Sequence, residues 1–202
     1  MTADPEKNAR HVARMARKKA IIDAAIVAAS IERGLLIVIT GNGKGKSTSA
    51  FGTVARALGY GMKVGVVQFI KSRTDTGEEA FFGRQPGVEW HVTGDGFTWD
   101  TQNREQDIAT AQRGWAIAAR MLGDASYQLV VLDELTYLLS YGYLDADDVL
   151  DALAHRPRDQ HVIVTGRAAT DALIELADTV SVIADEKHAF RAGVKAQRGI
   201  DL

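Results

Sequence analysis

Cysteine is absent from the chain, which excludes a disulfide framework, a thiolate metal site and an internal dithiol for redox work. Any electrons the chemistry consumes must come from outside. Charge of one sign is also scarce. The net charge of -2 gives no overall pull toward nucleic acid or an anionic membrane. No apolar run approaches the ~18 residues that suggest a membrane span. The charged opening MTADPEKNARHVARMARKKA lacks the apolar core of a secretory signal, so a cytoplasmic location is the expectation. Internal repeats and low-complexity linkers are missing too. What remains is a chain of 202 residues, enough for one domain with a substantial core.

The first thirty-odd residues differ from the rest. Lys7, Arg10, Arg14, Arg17, Lys18, Lys19 and Arg33 outnumber Asp4, Glu6, Asp23 and Glu32, so this arm is net positive. Val12, Met15, Ile22 and Ile26 recur at roughly helical spacing and predict an amphipathic helix with one apolar stripe. Either it packs on its own domain or it docks elsewhere, and being basic it could close over an anionic ligand. Residues 1–34 are expected to form this helical arm and residues 35–202 a ligand-binding domain.

Beyond the arm, β-branched apolar runs alternate with helical patterns. LLIVIT (Leu35 to Thr40), VGVVQF (Val64 to Phe69), LVVLD (Leu129 to Asp133), HVIVT (His161 to Thr165) and TVSVI (Thr179 to Ile183) read as strands buried on both faces. Helical segments fall at Ser47 to Leu58, Asp107 to Gly123, Asp145 to His155 and Ala168 to Ala177. Gly59 is a candidate cap, Asp145 to Asp148 an acidic start, and Pro157 lies just past an end. Alternation of this kind means an α/β fold with a mostly parallel central sheet and right-handed crossovers. Taken with the glycine loop GNGKGKST that directly follows the first of these runs, the expected architecture is a three-layer P-loop NTPase-like (RecA-like) fold.

Between the first strand and the first helix of that domain lies TGNGKGKSTSAFG (Thr40 to Gly52). A phosphate-binding P-loop normally places four residues between its first glycine and Gly-Lys-Ser/Thr. Here Thr40 stands where that glycine should be, and Gly41 leaves a loop one residue short. Glycines 41, 43 and 45 let backbone N–H groups converge on an anion, and the helix N-terminus adds its positive end. Lys46 would reach phosphate oxygens, Ser47 would ligate Mg²⁺, and Lys44 adds charge at the rim. LVVLDEL has the form of a Walker B segment, with Asp133 and Glu134 placed to hold Mg²⁺ or its waters; either one could be the metal contact.

Two further stretches stand out. GDGFTWDTQNREQD (Gly94 to Asp107) carries Phe97 and Trp99 in a polar, loop-like setting. They either cover a flat apolar ligand or fold back as a small core of their own. The tail EKHAFRAGVKAQRGIDL holds Lys187, His188, Arg191, Lys195 and Arg198; it closes a nucleotide pocket or is solvated surface. Arg167 follows the HVIVTG strand, at the sheet edge where α/β folds bind ligands. Composition and motifs reach an Mg-ATP site and stop there.

GNGKGKSTSAFGTVARALGYGMKVGVVQFIK, GFTWDTQNRE, VVLDELTYLLSYGYL, VIVTGR and KHAFRAGVKAQRGI, in that order, resemble the P-loop-type ATP:corrinoid adenosyltransferases over nearly the whole chain. The short glycine loop belongs to that family's pattern. Ser47 stands where many relatives carry Thr and keeps the hydroxyl. The resemblance implies transfer of the 5′-deoxyadenosyl group of ATP to a cob(I)alamin- or cob(I)inamide-type corrinoid, with release of triphosphate, in making or salvaging adenosylcobalamin. It implies that ATP lies reversed in the loop. Gly41, Asn42, Gly43, Lys44, Gly45, Lys46, Ser47 and Thr48 would hold its phosphates, and Ser47 with Glu134 or Asp133 a Mg²⁺ (or Mn²⁺) ion. Arg56 and Arg167 look like the family's nucleotide-contacting arginines.

The same resemblance matches Phe97 and Trp99 to aromatics pressed against the corrinoid's lower face, which excludes the lower axial ligand and eases reduction of cobalt(II). Lys46, Phe97 and Trp99 are thus the expected catalytic residues. A flavoprotein would supply the electron. A homodimer is implied, with the N-terminal helix over a neighbouring active site; nucleic acid and membrane are not expected partners. Two competing readings stay open at this point: a phosphotransferase or ATPase of ordinary polarity, and a non-catalytic carrier of corrinoid or nucleotide.

Overall fold

The computed structural model describes residues 5–70, 76–94 and 103–201. The chain divides into two compact units, Met1–Glu32 and Arg33–Leu202. The first contains one helix, α1 (Pro5–Ala28), of 24 residues. Exposed i,i+4 ion pairs, Arg10 to Glu6 and Lys19 to Asp23, brace it; such pairs contribute only a few tenths of a kcal/mol. Its apolar stripe, Val12, Met15, Ile22 and Ile26, is exposed.

The second unit alternates strand and helix: β1 (Leu36–Thr40), α2 (Lys46–Gly59), β2 (Val64–Gln68), α3 (Gly77–Phe82), β3 (Val88–Val92), α4 (Arg104–Leu122), β4 (Leu129–Asp133), α5 (Leu135–Ser140), α6 (Ala146–Ala154), β5 (His161–Thr165), α7 (Asp171–Leu176) and β6 (Thr179–Val182). The six strands form one sheet in the order β3-β2-β4-β5-β1-β6, and every pairing is parallel. Parallel strands need crossovers, and the helices supply them on both faces.

Period-two alternation divides the core in two. Ile39, Val64, Val66, Leu129, Val131 and Ile163 face α2 and α3, where Ala50, Phe51, Val54, Ala57 and Phe82 meet them. Val38, Val67, Val130, Leu132, Val162 and Val164 point to the other side, against Ala118, Met121, Leu138, Val149, Leu153 and Leu173 of the remaining helices. The result is a three-layer α/β fold. Each large apolar side chain so buried contributes roughly 1.5–3 kcal/mol before entropy is subtracted.

Most helices start on a capping side chain. Thr76 accepts from the Glu79 N–H, Asn103 from Gln106, Asp145 from Asp147 and Asp148, and Thr170 from Leu173. The helix that begins α2 departs from this rule: Gly45 precedes it in the left-handed region and offers no side-chain acceptor. No side chain of that residue caps its first N–H groups, an arrangement that suits an anion at the helix N-terminus.

All five expected strands are present, and the elements differ from expectation in detail. β6 lies at the sheet edge and its residues are exposed, so the expectation of burial on both faces is corrected there. β3 adds an unanticipated strand at the opposite edge, α3 and α5 are short helices also not anticipated, and α2 runs one residue further at each end than expected, so Tyr60 rather than Gly59 is its C-cap. At the start of this unit Arg33 grips Asp178 through both guanidinium nitrogens, and Asp178 also accepts the Leu36 N–H at 2.8 Å. That cluster fixes where the chain enters β1.

Candidate nucleotide site

The carboxyl ends of β1, β4, β5 and β6 bring together the glycine loop, Glu134, Arg167 and the segment after Val182. In the loop, φ is 102° at Gly41 and 110° at Gly45, values that side chains with a Cβ resist. Gly43 is required for another reason. A Cβ there would lie 2.3 Å from the Ala184 carbonyl oxygen, and one at Gly41 would lie 2.4 Å from that of Ile183. The Gly43 N–H donates to the Ile183 carbonyl at 2.8 Å. The short loop is thus threaded against the chain leaving β6.

Lys46 opens α2 and is 7% exposed, with its Nζ donating to the Gly43 carbonyl at 2.8 Å. Burial lowers its pKa; Glu134 and Asp133 oppose that shift, and Arg167 and Lys44 reinforce it. These four charges therefore surround the ammonium within electrostatic reach. Ser47 is half-buried and Asn42, Lys44 and Thr48 are exposed around it. Lys44 forms an ion pair with Asp201 near the end of the chain.

Asp133, the last residue of β4, is fully buried. Its Oδ2 accepts from Gln68 Nε2 at 2.9 Å and its Oδ1 from the Thr165 hydroxyl at 2.7 Å. The Thr165 oxygen also accepts the Glu134 N–H at 3.0 Å. Glu134 takes φ 66° and ψ 19°, a left-handed conformation uncommon for a residue with a side chain. One threonine hydroxyl thereby ties the two carboxylate residues to the neighbouring strand.

Arg167 follows β5, and its carbonyl accepts the Thr136 hydroxyl at 2.6 Å. Its side chain joins Gly41, Asn42, Ile183, Asp185 and Arg191 around an open cleft of about 540 Å³. Arg191 is paired with Asp185 within that cleft, and a guanidinium such as that of Arg167 beside a glycine loop suits an anionic ligand. Arg56 is placed differently. It lies in the last turn of α2 beside Leu129 and His161, the first residues of β4 and β5. Ten residues of helix put it roughly 15 Å from Lys46, at the opposite end of the sheet. The geometry does not bring Arg56 to the loop. Phe97 and Trp99 lie outside the described residues.

Among the described residues no group of three His, Cys, Asp or Glu side chains forms a metal cage. Mg²⁺ does not need one: it binds through one or two carboxylates, a hydroxyl, waters and substrate phosphates. Ser47, Asp133 and Glu134 offer the hard oxygens it prefers. Gln68 Oε1, beside Asp133, is a buried acceptor without a hydrogen-bond partner, and a metal-bound water would satisfy it. The residues present fit a hydrated Mg²⁺.

Gln68 and Thr165 were not singled out by sequence. Thr165 ends a predicted strand and Gln68 is the residue before the end of another, a place near strand ends that is the one signal that could have found them. A glycine loop feeding an uncapped helix, next to an acidic strand end in a parallel sheet, is how P-loop proteins hold nucleotide phosphates; fold and site together define that class.

The profile of the ATP:corrinoid adenosyltransferase BtuR/CobO/CobP family matches residues 32–202. That of the cob(I)alamin adenosyltransferase N-terminal region matches residues 1–26. The chain is 58% identical over 203 residues to a corrinoid adenosyltransferase of Pseudomonas aeruginosa, covering 100% of both. It is 54% identical to a corrinoid adenosyltransferase of Escherichia coli, covering 95% of this chain and 97% of that one. It is 52% identical to the corrinoid adenosyltransferase CobA of Salmonella typhimurium, with the same coverage. The chain belongs to the ATP:corrinoid adenosyltransferase family, a family of transferases that move the adenosyl group of ATP to a corrinoid in cobalamin synthesis.

Proposed function

We propose that this protein carries out that transfer with ATP reversed in the glycine loop, its triphosphate clamped and its ribose C5′ turned toward the corrinoid. Cobalt(I) supplies an electron pair that becomes the cobalt–carbon bond to C5′, the C5′–O bond breaks, and triphosphate leaves with the pair of that broken bond. The observation that carries the reading is Lys46, a buried ammonium inside a shortened loop; in this reading it neutralises a leaving group rather than an attacked phosphorus. A kinase must present its γ-phosphorus to a nucleophile. Here the charge to be stabilised grows on the triphosphate, where Lys46, the first N–H groups of α2 and Arg167 would act on it.

Ser47 and Glu134, with Asp133 behind them, are assigned to Mg²⁺, which when bound supplies charge neutralisation of the phosphates. Asp133 has both oxygens engaged by Gln68 and Thr165, which favours an orienting role for it and leaves Glu134 the closer contact. Phe97 and Trp99 are assigned to the corrinoid's lower face, and a flavoprotein to the electron, since the chain has no cysteine. The arm, residues 1–34, is assigned to a neighbouring subunit's site in a cytoplasmic homodimer; its exposed apolar stripe and basic charge support this.

The test is product analysis with ATP and a chemically reduced corrinoid. Intact triphosphate and a cobalt–carbon adduct are expected. ADP as the sole nucleotide product would overturn the reading.

A further inference from the structure

Directly after Glu134, helix α5 and the turn beyond it carry Tyr137, Tyr141 and Tyr143. Their rings form a ladder: Tyr137 and Tyr141 have centroids 5.9 Å apart at 39°, and Tyr141 and Tyr143 5.6 Å apart at 50°. At the far end the Arg104 guanidinium sits 5.7 Å from the Tyr143 centroid, where α4 begins. At the near end Tyr137 lies three residues beyond Glu134 in α5; burial raises its pKa, with Glu134 adding to the shift and Arg167 opposing it. The ladder thus runs from the phosphate-binding residues to the start of α4 along the carboxyl edge of the sheet.

Core packing accounts for only part of it. Tyr137 and Tyr143 lean on the apolar core, whereas Tyr141, the middle rung, remains 40% exposed. Gly142 beside it has φ 64° and open space around its Cβ position, so the turn that carries the middle rung lies at the surface. Exposed aromatic faces with hydroxyl tips suit a ligand that is flat and apolar in the middle and rich in amides at the rim. A corrin ring has that character, and it must come within bonding distance of a nucleotide held at this same edge.

We infer that the Tyr137–Tyr141–Tyr143 ladder is a contact surface for the corrinoid, with Tyr141 the residue that sets its affinity. This rests on the adenosyl-transfer reading above. The adenine base is the other flat ligand the ladder could receive, and it gives a different kinetic result.

The test uses the full chain, ATP and chemically reduced cobalamin, with the wild type assayed first for triphosphate and adduct. Tyr141→Ala is expected to raise the KM for cobalamin ~10-fold, with kcat and the KM for ATP each within about twofold of wild type. Tyr141→Phe keeps the ring and should recover most of the loss. An unchanged cobalamin KM in Tyr141→Ala overturns the proposal, as does a rise confined to the KM for ATP, or a fall in kcat that Phe does not rescue. If the wild type itself yields no triphosphate, the transfer reading fails instead, so the two failures are distinguishable.

Discussion

Replacing Thr165 by Val tests how the two acidic residues are held. The swap keeps size and β-branching, so β5 should still form, and only the hydroxyl is removed. That hydroxyl donates to Asp133 Oδ1 at 2.7 Å and accepts the Glu134 N–H at 3.0 Å, at a site with no solvent exposure. Losing a hydrogen bond to a charged acceptor costs about 1.5–3 kcal/mol, and leaving a buried N–H unmet about 1–3 kcal/mol. Asp133 keeps its Gln68 donor, and Glu134 is only half-buried, so both terms belong toward their lower ends. About 3 kcal/mol of destabilisation is expected, or roughly 6–12 °C in Tm for a chain of this size. Urea titration should show a lower midpoint at unchanged slope. Thr165→Ser keeps the hydroxyl and should cost only about 1 kcal/mol, the value of one buried methyl. A Thr165→Val loss below about 0.5 kcal/mol, or one equalled by Ser, would refute the tie.

Other outcomes follow from the same geometry. Lys46→Met should retain the fold yet lower kcat by about 10²–10³, the usual cost of one preorganised charge donor at a transition state; a variant with wild-type turnover would remove Lys46 from the chemistry. Glu89 on β3 has a pKa lowered from 4.5 to about 2 by the Tyr127 hydroxyl, His91 and Arg120. A depressed carboxylate stabilises above its unfolded pKa, so this contribution is present at neutral pH and is lost as pH falls from about 4.5 to 2. Urea midpoints across that window should fall less steeply in Tyr127→Phe than in wild type; parallel curves would refute the assignment.

The sheet and the loop were legible because their signals are local. A strand buried on both faces reads as an apolar run, and LVVLD shows such a run whatever surrounds it. β3 escaped because VEWHV alternates Glu89 and His91 with apolar residues at a sheet edge, a weaker pattern in so short a strand. β6 misled for the opposite reason: TVSV has the composition of a buried strand, but its position at the edge, set by the fold, leaves it exposed. Gly41 and Gly45 could be read as turn formers, whereas the need for Gly43 depends on Ala184, remote in sequence. Arg56 reached the candidate site only by resemblance, and its helix carries it to the far end of the sheet. The bridging role of Thr165 required knowing that β4 and β5 are neighbours.

The dependence of Gly41 and Gly43 on Ile183 and Ala184 also has a consequence in time. β1 is the first strand of the sheet to be synthesised and β6 the last, yet the two pair directly. A nascent chain can pair β2 with β3 and β4, but β1 joins that sheet only through β5, and the glycine loop has nothing behind it until β6 follows. Such long-range pairing closes late, because loop-closure entropy must be met before the contact forms. The glycine loop thus gains its backing only when β6 pairs with β1, and phosphate binding by the loop becomes a report of that late pairing.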